Sequence, residues 1–179
     1  MIEQDIPASR AYRLLHPKLV TVIGTAHGGK VNLMPASWVM PASFEPPLLV
    51  AAVGLERYTL RLIKESGAFT VNPVGPDMAA AVAKLGSISG ADVDKARLVG
   101  VLHSSVGAPC LRGALACIEC IVAGMHRAGD HVLVLGEIRR ARVFSQCFDP
   151  EKWVYREKCW PVYHAGGRLY ARLGGYFEV

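Results

Sequence analysis

A chain of 179 residues, 51% hydrophobic and 20% charged, makes one domain (residues 1–179) with enough apolar material for a single core. Its net charge of +5 comes from scattered Lys and Arg. The one tight cluster, Arg139-Arg140 with Arg142, reads as a solvated strand face, so no nucleic-acid partner is expected and an anionic small molecule suits the balance better. No apolar run approaches the roughly 18–20 residues of a membrane helix. Leu48–Leu55 is the longest clear candidate and is strand-sized, so no membrane association is expected. The N-terminus, Met-Ile-Glu-Gln-Asp, is acidic and lacks the basic-then-apolar order of a signal peptide, which makes a cytoplasmic location the expectation.

In chain order, Pro7–Leu15 reads as a short helix with apolar positions at Ala11, Leu14 and Leu15. His16-Pro17 ends it, because the residue before proline disfavours helical geometry. Lys18–Ala26 is β-branched and strand-like, His27-Gly28-Gly29-Lys30 makes a turn, and Val31–Met34 returns as a second strand. That hairpin carries Asn32 and the Pro35–Trp38 segment to the sheet rim. Pro46-Pro47 introduces Leu48–Gly54, a continuous apolar strand expected to be buried on both faces.

Thr59 is placed to cap a helix over Leu60–Ser66 that Gly67 stops, with Leu60 and Ile63 toward the core. Asp77 is placed to cap a second helix, Met78–Leu85, ended by Gly86. Leu111–Met125 and His131–Phe144 read as long antiparallel strands, and Asp149-Pro150 as the opening of a last helix through Tyr155. Long strands with a few peripheral helices suggest a β-barrel with helices outside it.

Five cysteines in such a chain do not suggest a disulfide framework. Cys117-x-x-Cys120 sits in a strand-like run, where residues three apart point to opposite faces, so the two thiols cannot share a metal. Cys110, Cys147 and Cys159 have no companion at ligand spacing. Free thiols and no metal site are expected.

The densest block runs from Asn32 to Asn72: N-x-x-x-A-S-W, then S-F-x-P-P-L-L, then E-R-Y-T-L-R-L-I-K-E-S-G-A-F-T-V-N. Small and hydroxyl residues let backbone amides approach an anion, and an arginine can hold its oxygens. Further on come Ser89-Gly90-Ala91-Asp92-Val93-Asp94-Lys95, then Gly129-Asp130-His131 leading into Gly136-Glu137-Ile138, and finally Pro161–Gly167. In order and spacing these segments resemble the flavin reductase-like family, and the resemblance covers nearly the whole chain. It implies a six-stranded Greek-key FMN-binding split β-barrel, a homodimer, and FMN as bound cofactor with NADH or NADPH as co-substrate.

The resemblance places the FMN phosphate at the Arg57-Tyr58-Thr59 corner, where a helix N-terminus would present unpaired amides. It places Ala36, Ser37, Trp38 and Ser43 along the ring and ribityl side. Trp38 reads equally as a core aromatic. Asn32 and Asn72 are short polar residues between apolar neighbours and suit ligand contacts, although Asn72 also suits the end of its strand. Ser89 and Lys95 lie in a loop that, in a dimer, would bring a positive charge to the flavin or the nicotinamide phosphates; the alternative is a surface Lys95 paired with Asp92 or Asp94. His131 and His164 match positions near the flavin, where a histidine orients a nicotinamide or relays a proton; a structural hydrogen-bonding role is the alternative for each.

The implied activity is electron transfer from NAD(P)H to flavin, ferric complexes or a partner oxygenase. The runner-up is a flavoredoxin-like FMN carrier without NAD(P)H activity. No G-x-G-x-x-G follows a strand, which disfavours a Rossmann site.

Overall fold

The computed structural model describes residues 4–177; Met1–Glu3 of the acidic N-terminal stretch and the last two positions of the 1–179 domain lie outside the described residues. The aliphatic and β-branched runs pair into one antiparallel sheet built from β1 (Thr21–His27), β2 (Lys30–Ala36), β3 (Val39–Ser43), β4 (Leu48–Gly54), β5 (Ala68–Pro73), β6 (Ala116–Ala128) and β7 (His131–Val143). Its strand order is β2-β1-β5-β6-β7-β4-β3. Gly28 and Gly29 take φ of 55° and 74°, so a two-residue turn joins β1 to β2 with His27 opposite Lys30.

The sheet has seven strands where the resemblance implies six. β3 is an edge strand and tolerates Pro41 because its outer side needs no ladder donor. β4 is not buried on both faces: Leu49, Ala51 and Val53 are buried and their alternates only half-buried, as expected for a strand near the sheet edge. Lys18–Leu19 pairs with Tyr163–Gly166, which ties the end of the chain to its beginning.

Three helices lie outside the sheet: α1 (Tyr58–Ser66), α2 (Ala79–Ser87) and the single turn α3 (Ala96–Val99). Gly67 stops α1 at φ 68°, its N–H bonding to Ile63 O at 2.9 Å. Thr59 does not cap α1. Arg57 holds the cap position, and Thr59 is buried one turn residue further in. Asp77 makes no cap bond either; Pro76–Met78 forms a 3-10 turn and α2 starts at Ala79. The N-terminal segment Ala8–Leu15 is 3-10 rather than α, with none of its residues buried.

The expected last helix is absent. Phe148–Asp149 pairs with Val154–Tyr155, and Trp153 takes φ 57° at the reversal, a conformation that breaks a helix. Two buried clusters hold the sheet: Ile23, Val53, Leu60, Ile63 and Phe69 under α1, and Val22, Leu33, Val82 and Leu85 under α2. Neighbours Val22 and Ile23 serve opposite faces, as strand geometry requires.

The cysteine expectation is overturned. Cys110–Cys117 and Cys147–Cys159 form disulfides, with Cα–Cα distances of 5.8 and 5.1 Å, and only Cys120 is free. Each pair flanks a chain reversal that linear spacing does not reveal. Cys117 and Cys120 do point apart, Cys120 into the core beside Phe69.

Candidate functional site

A cavity of about 480 Å³ opens between β2, the first turn of α1 and the loop that follows α2. Its floor is the end of β2, with Asn32, Ala36, Ser37 and Trp38; Ala52 and Gly54 of β4 lie beside them. Arg57, Tyr58 and Thr59 form one end, and Ser89 and Lys95 close over it from the loop. His131, at the start of β7 and paired with Gly54, lines the cavity as well. Residues far apart in sequence meet here because β2 lies alongside the helix that follows β4.

Positive charge and a helix start meet on the α1 side of the cavity. The first amides of a helix have no intrahelical acceptor, and α1 presents them toward two cations. Lys95 is buried, and its ammonium donates to Leu85 O at the end of α2, 2.7 Å away. Burial lowers its pKa below the usual 10.5, and the neighbouring charge of Arg57 lowers it further. Neither Asp92 nor Asp94 pairs with it; Asp94 instead holds Arg97 at 3.2 Å and the Ala96 amide at 3.1 Å. Arg57 has only a loose 3.9 Å contact with Glu56. Two cations thus lie beside the start of α1, and among the described residues Glu56 is the one carboxylate in contact with either.

Asn32 completes it. Its Nδ2 donates to Thr59 Oγ1 at 2.7 Å, while its buried Oδ1 has no partner among the described residues. A buried amide oxygen left open in a cavity wall is costly unless something fills the bond. Gly90 leaves room for it, since a Cβ there would lie 2.0 Å from that oxygen.

Aromatic rings line the cavity too. Trp38 stacks on His131, with centroids 5.0 Å apart and planes 27° from parallel, and Tyr12 meets Trp38 edge-on at 5.8 Å. Trp38 is 39% exposed and so is a cavity wall, not a core aromatic. Asp130 Oδ1 lies 2.7 Å from His131 Nδ1, and that bond holds the Asp130 carboxyl below its ordinary range. This leaves Nε2 as the histidine nitrogen free for a ligand.

Three residues singled out in the sequence are not brought here. Ser43 lies on edge strand β3, paired with Leu48. Asn72 is fully buried, with Nδ2 donating to Val22 O and Thr70 Oγ1 and Oδ1 accepting from the Leu111 amide, so its side chain is committed to structure. His164 lies on the strand paired with Lys18–Leu19, with Nε2 3.1 Å from Gly167 O. Conversely, Gly86, Ser87 and Ile88 wall the cavity and were not singled out. Their only signal is a run of small residues at a helix end.

The cluster Arg139-Arg140-Arg142 is only partly a solvated face. Arg142 forms an ion pair with the fully buried Glu119 at 2.7 Å. Among the described residues, no helix is long and apolar enough to cross a membrane.

A family model described as a flavin reductase like domain matches residues 12–171. An uncharacterized protein of Aeropyrum pernix is 36% identical over 131 residues, and the match covers 71% of this chain but only 50% of that protein. The reductase subunit HsaB of a flavin-dependent monooxygenase from Mycobacterium tuberculosis is 31% identical over 119 residues, covering 66% of this chain and 62% of HsaB. Among solved structures, an FMN-binding protein of Thermus thermophilus with bound 1-cyclohex-2-enone superposes with TM-score 0.87 at 26% identity, covering 100% of this chain and 98% of that one. A flavoredoxin of Methanosarcina acetivorans does so with TM-score 0.84, also at 26% identity, covering 100% and 93%. The chain belongs to the flavin reductase-like family, and its mainly β architecture is that family's split barrel.

Proposed function

We propose that this chain binds FMN in the cavity and works as an oxidoreductase, passing electrons from NADH or NADPH to free flavin, a ferric complex or a partner oxygenase. The observation that carries this reading is the pair Lys95 and Arg57 beside the start of α1, met only by a loose contact from Glu56, in a cavity also lined by the Trp38–His131 stack. The residues fit the cofactor in kind. The cations and helix amides suit a phosphate dianion, and the open Oδ1 of Asn32 suits a hydroxyl or N–H donor. The Trp38–His131 stack suits a flat ring.

Bound FMN would supply a ring able to accept a hydride and release its electrons one or two at a time. The chain's own residues then bind and orient. Lys95, Arg57 and the α1 amides hold negative charge. Asn32 directs its N–H at Thr59 Oγ1, so the Thr59 proton is free to point at the ligand. His131, fixed through Nδ1 by Asp130, keeps Nε2 to hold or deliver a proton at the ring's edge. The similarity to HsaB supports an oxygenase partner. The similarity to flavoredoxin favours the second reading, an FMN carrier that takes electrons from another protein.

A homodimer belongs to the same proposal. Edge strand β3 and its turn expose Met40 at 62% and Phe44 fully, a face a second copy would cover. A cytoplasmic location is also retained as part of the proposal.

Anaerobic titration decides between the readings. Protein loaded with FMN should bleach with NADH or NADPH. If only dithionite bleaches it, the carrier reading replaces the reductase. If FMN neither copurifies nor raises the melting temperature, the flavin reading fails.

A further inference from the structure

At the end of the β6–β7 hairpin far from His131, a smaller cavity of about 150 Å³ is lined by the disulfide-bonded Cys110 and Cys117, by Leu111 and Ala114, and by Arg142. Cys117 is 7% exposed and Cys110 1%. Arg142 Nη2 lies 3.0 Å from Cys110 Sγ and 2.7 Å from Glu119 Oε1, and it donates to His103 O at 2.8 Å. Its Nε–H is buried and has no partner among the described residues. Glu119 is fully buried, its other oxygen bonded to the amide and hydroxyl of Ser105. Burial pulls its pKa up, but the Ser105 bonds and the charges of Arg142 and Arg140 outweigh that and hold it below the ordinary value.

A disulfide opens fastest when one sulfur can be reached and the other leaves as a stabilised thiolate. Cys117 is the more exposed of the two residues, and Cys110 Sγ already touches a guanidinium whose Nε–H is unspent. We propose that Cys110–Cys117 is an exchangeable disulfide, opened by a small vicinal dithiol that enters this cavity, with Arg142 receiving the Cys110 thiolate.

The attacking thiolate forms a bond to Cys117 Sγ as the Cys110–Cys117 bond breaks, its electron pair going to Cys110 Sγ. The dithiol's second thiol then attacks its own mixed-disulfide sulfur. A cyclic disulfide leaves, and the proton that thiol gives up goes to Cys117. The dithiol is oxidised by two electrons and the protein disulfide reduced by two, ending as a thiolate at Cys110 and a thiol at Cys117. The Glu119 carboxylate, within 4.8 Å of both sulfurs, disfavours a second thiolate.

Beside the disulfide, Thr70 Oγ1 donates to Pro109 O at 2.6 Å, and a Cβ at Gly24 would collide with that carbonyl. Cys120 does not compete: burial, with Glu119 beside it, pushes its thiol up to about 12. None of the described charged side chains bonds to Cys147 or Cys159, which makes that disulfide an internal control. The proposal does not depend on the flavin reading.

The experiment follows the opening of both disulfides in the full chain under dithiothreitol, by acid quench, alkylation and peptide mass mapping. Arg142→Met should slow Cys110–Cys117 by about tenfold or more and leave the Cys147–Cys159 rate unchanged. Arg142→Lys should restore most of the rate. Because Arg142→Met strands the Glu119 charge, the double variant Arg142→Met/Glu119→Gln is measured as well and should be equally slow. A monothiol, 2-mercaptoethanol, should be trapped on Cys117. Unchanged opening in both variants, slowing of both disulfides together, opening only on unfolding, or capture at Cys110 would each overturn the proposal.

Discussion

Replacing Lys95 by Met separates a ligand role from a structural one, because the two push in different directions. Without ligand, the folded chain holds a buried ammonium that desolvation and Arg57 both disfavour. Met has a similar length and no charge. It removes that burden and leaves Leu85 O without its 2.7 Å donor, a trade of about 1 kcal/mol or less in either direction. With FMN bound, the same substitution removes a charge-assisted contact to phosphate of about 1.5–3 kcal/mol, which is roughly tenfold to a hundredfold in affinity.

Riboflavin, which lacks the phosphate, should bind wild type and Lys95→Met about equally. The assay is titration of both flavins by fluorescence quenching, with the melting temperature of the unliganded protein alongside. A pH series adds a sign. The folded pKa lies below 10.5, so wild-type FMN affinity should fall as pH rises through that lowered value, while the variant stays flat. Between the lowered value and 10.5 the unfolded chain holds a proton that the folded chain has released, so unliganded wild type should gain stability as pH rises there. An unchanged ratio of FMN to riboflavin affinity in Lys95→Met would refute the placement of the phosphate at this end.

Gly90→Ala sets a Cβ 2.0 Å from Asn32 Oδ1, so the loop must lift or Asn32 must turn; FMN affinity should drop about tenfold by calorimetry, with about 1–3 kcal/mol of stability lost in urea unfolding. If FMN binds as before, the loop is not a wall of the site. Gly136→Ala meets Phe69 Cζ at 2.4 Å and Cys120 Cβ at 2.9 Å in the core, and should cost about 2–3 kcal/mol in the same unfolding assay without altering the ratio of flavin affinities. Glu119 has a folded pKa below 4.5, so its contribution is present above 4.5 and lost as pH falls through the lowered value. Acid unfolding followed by circular dichroism should therefore lose part of its pH dependence in Glu119→Gln.

Strands and stops were legible where the cause is local. Gly28-Gly29 turns β1 into β2, and Gly67 ends α1 at a left-handed φ, both decided by residues a few positions apart. The cavity gathers Asn32, Ala36, Ser37, Trp38, Arg57, Tyr58, Thr59, Ser89, Lys95 and His131, all singled out beforehand because of their order along the chain. What stayed hidden depends on contacts between distant segments. Thr59 resembles a helix cap until β2 places Asn32 against its hydroxyl. Asn72 looks like a ligand contact until the Leu111 amide arrives from 39 residues away. Lys95 reads either as a ligand-directed charge or as a surface lysine beside two aspartates, and only the end of α2 removes the second reading by burying it. The cysteines failed for the same reason, since a reversal between 110 and 117 brings together sulfurs that no spacing rule joins.

The anion end of the site is assembled from pieces that do not hold one another covalently. Asn32 comes from β2, Thr59 and the free amides from α1, Gly90 and Lys95 from the loop after α2. Each piece is short of something in isolation: Asn32 has an open oxygen, Lys95 an unpaired charge, α1 its unbonded amides. A phosphate-bearing ligand would meet all three shortages at once, so binding and closure of residues 86–95 over the cavity should be linked. Hydrogen exchange tests that link directly. Amides of 86–95 should gain protection with FMN and much less with riboflavin, while the β6–β7 core, stable already, should show no difference between the two.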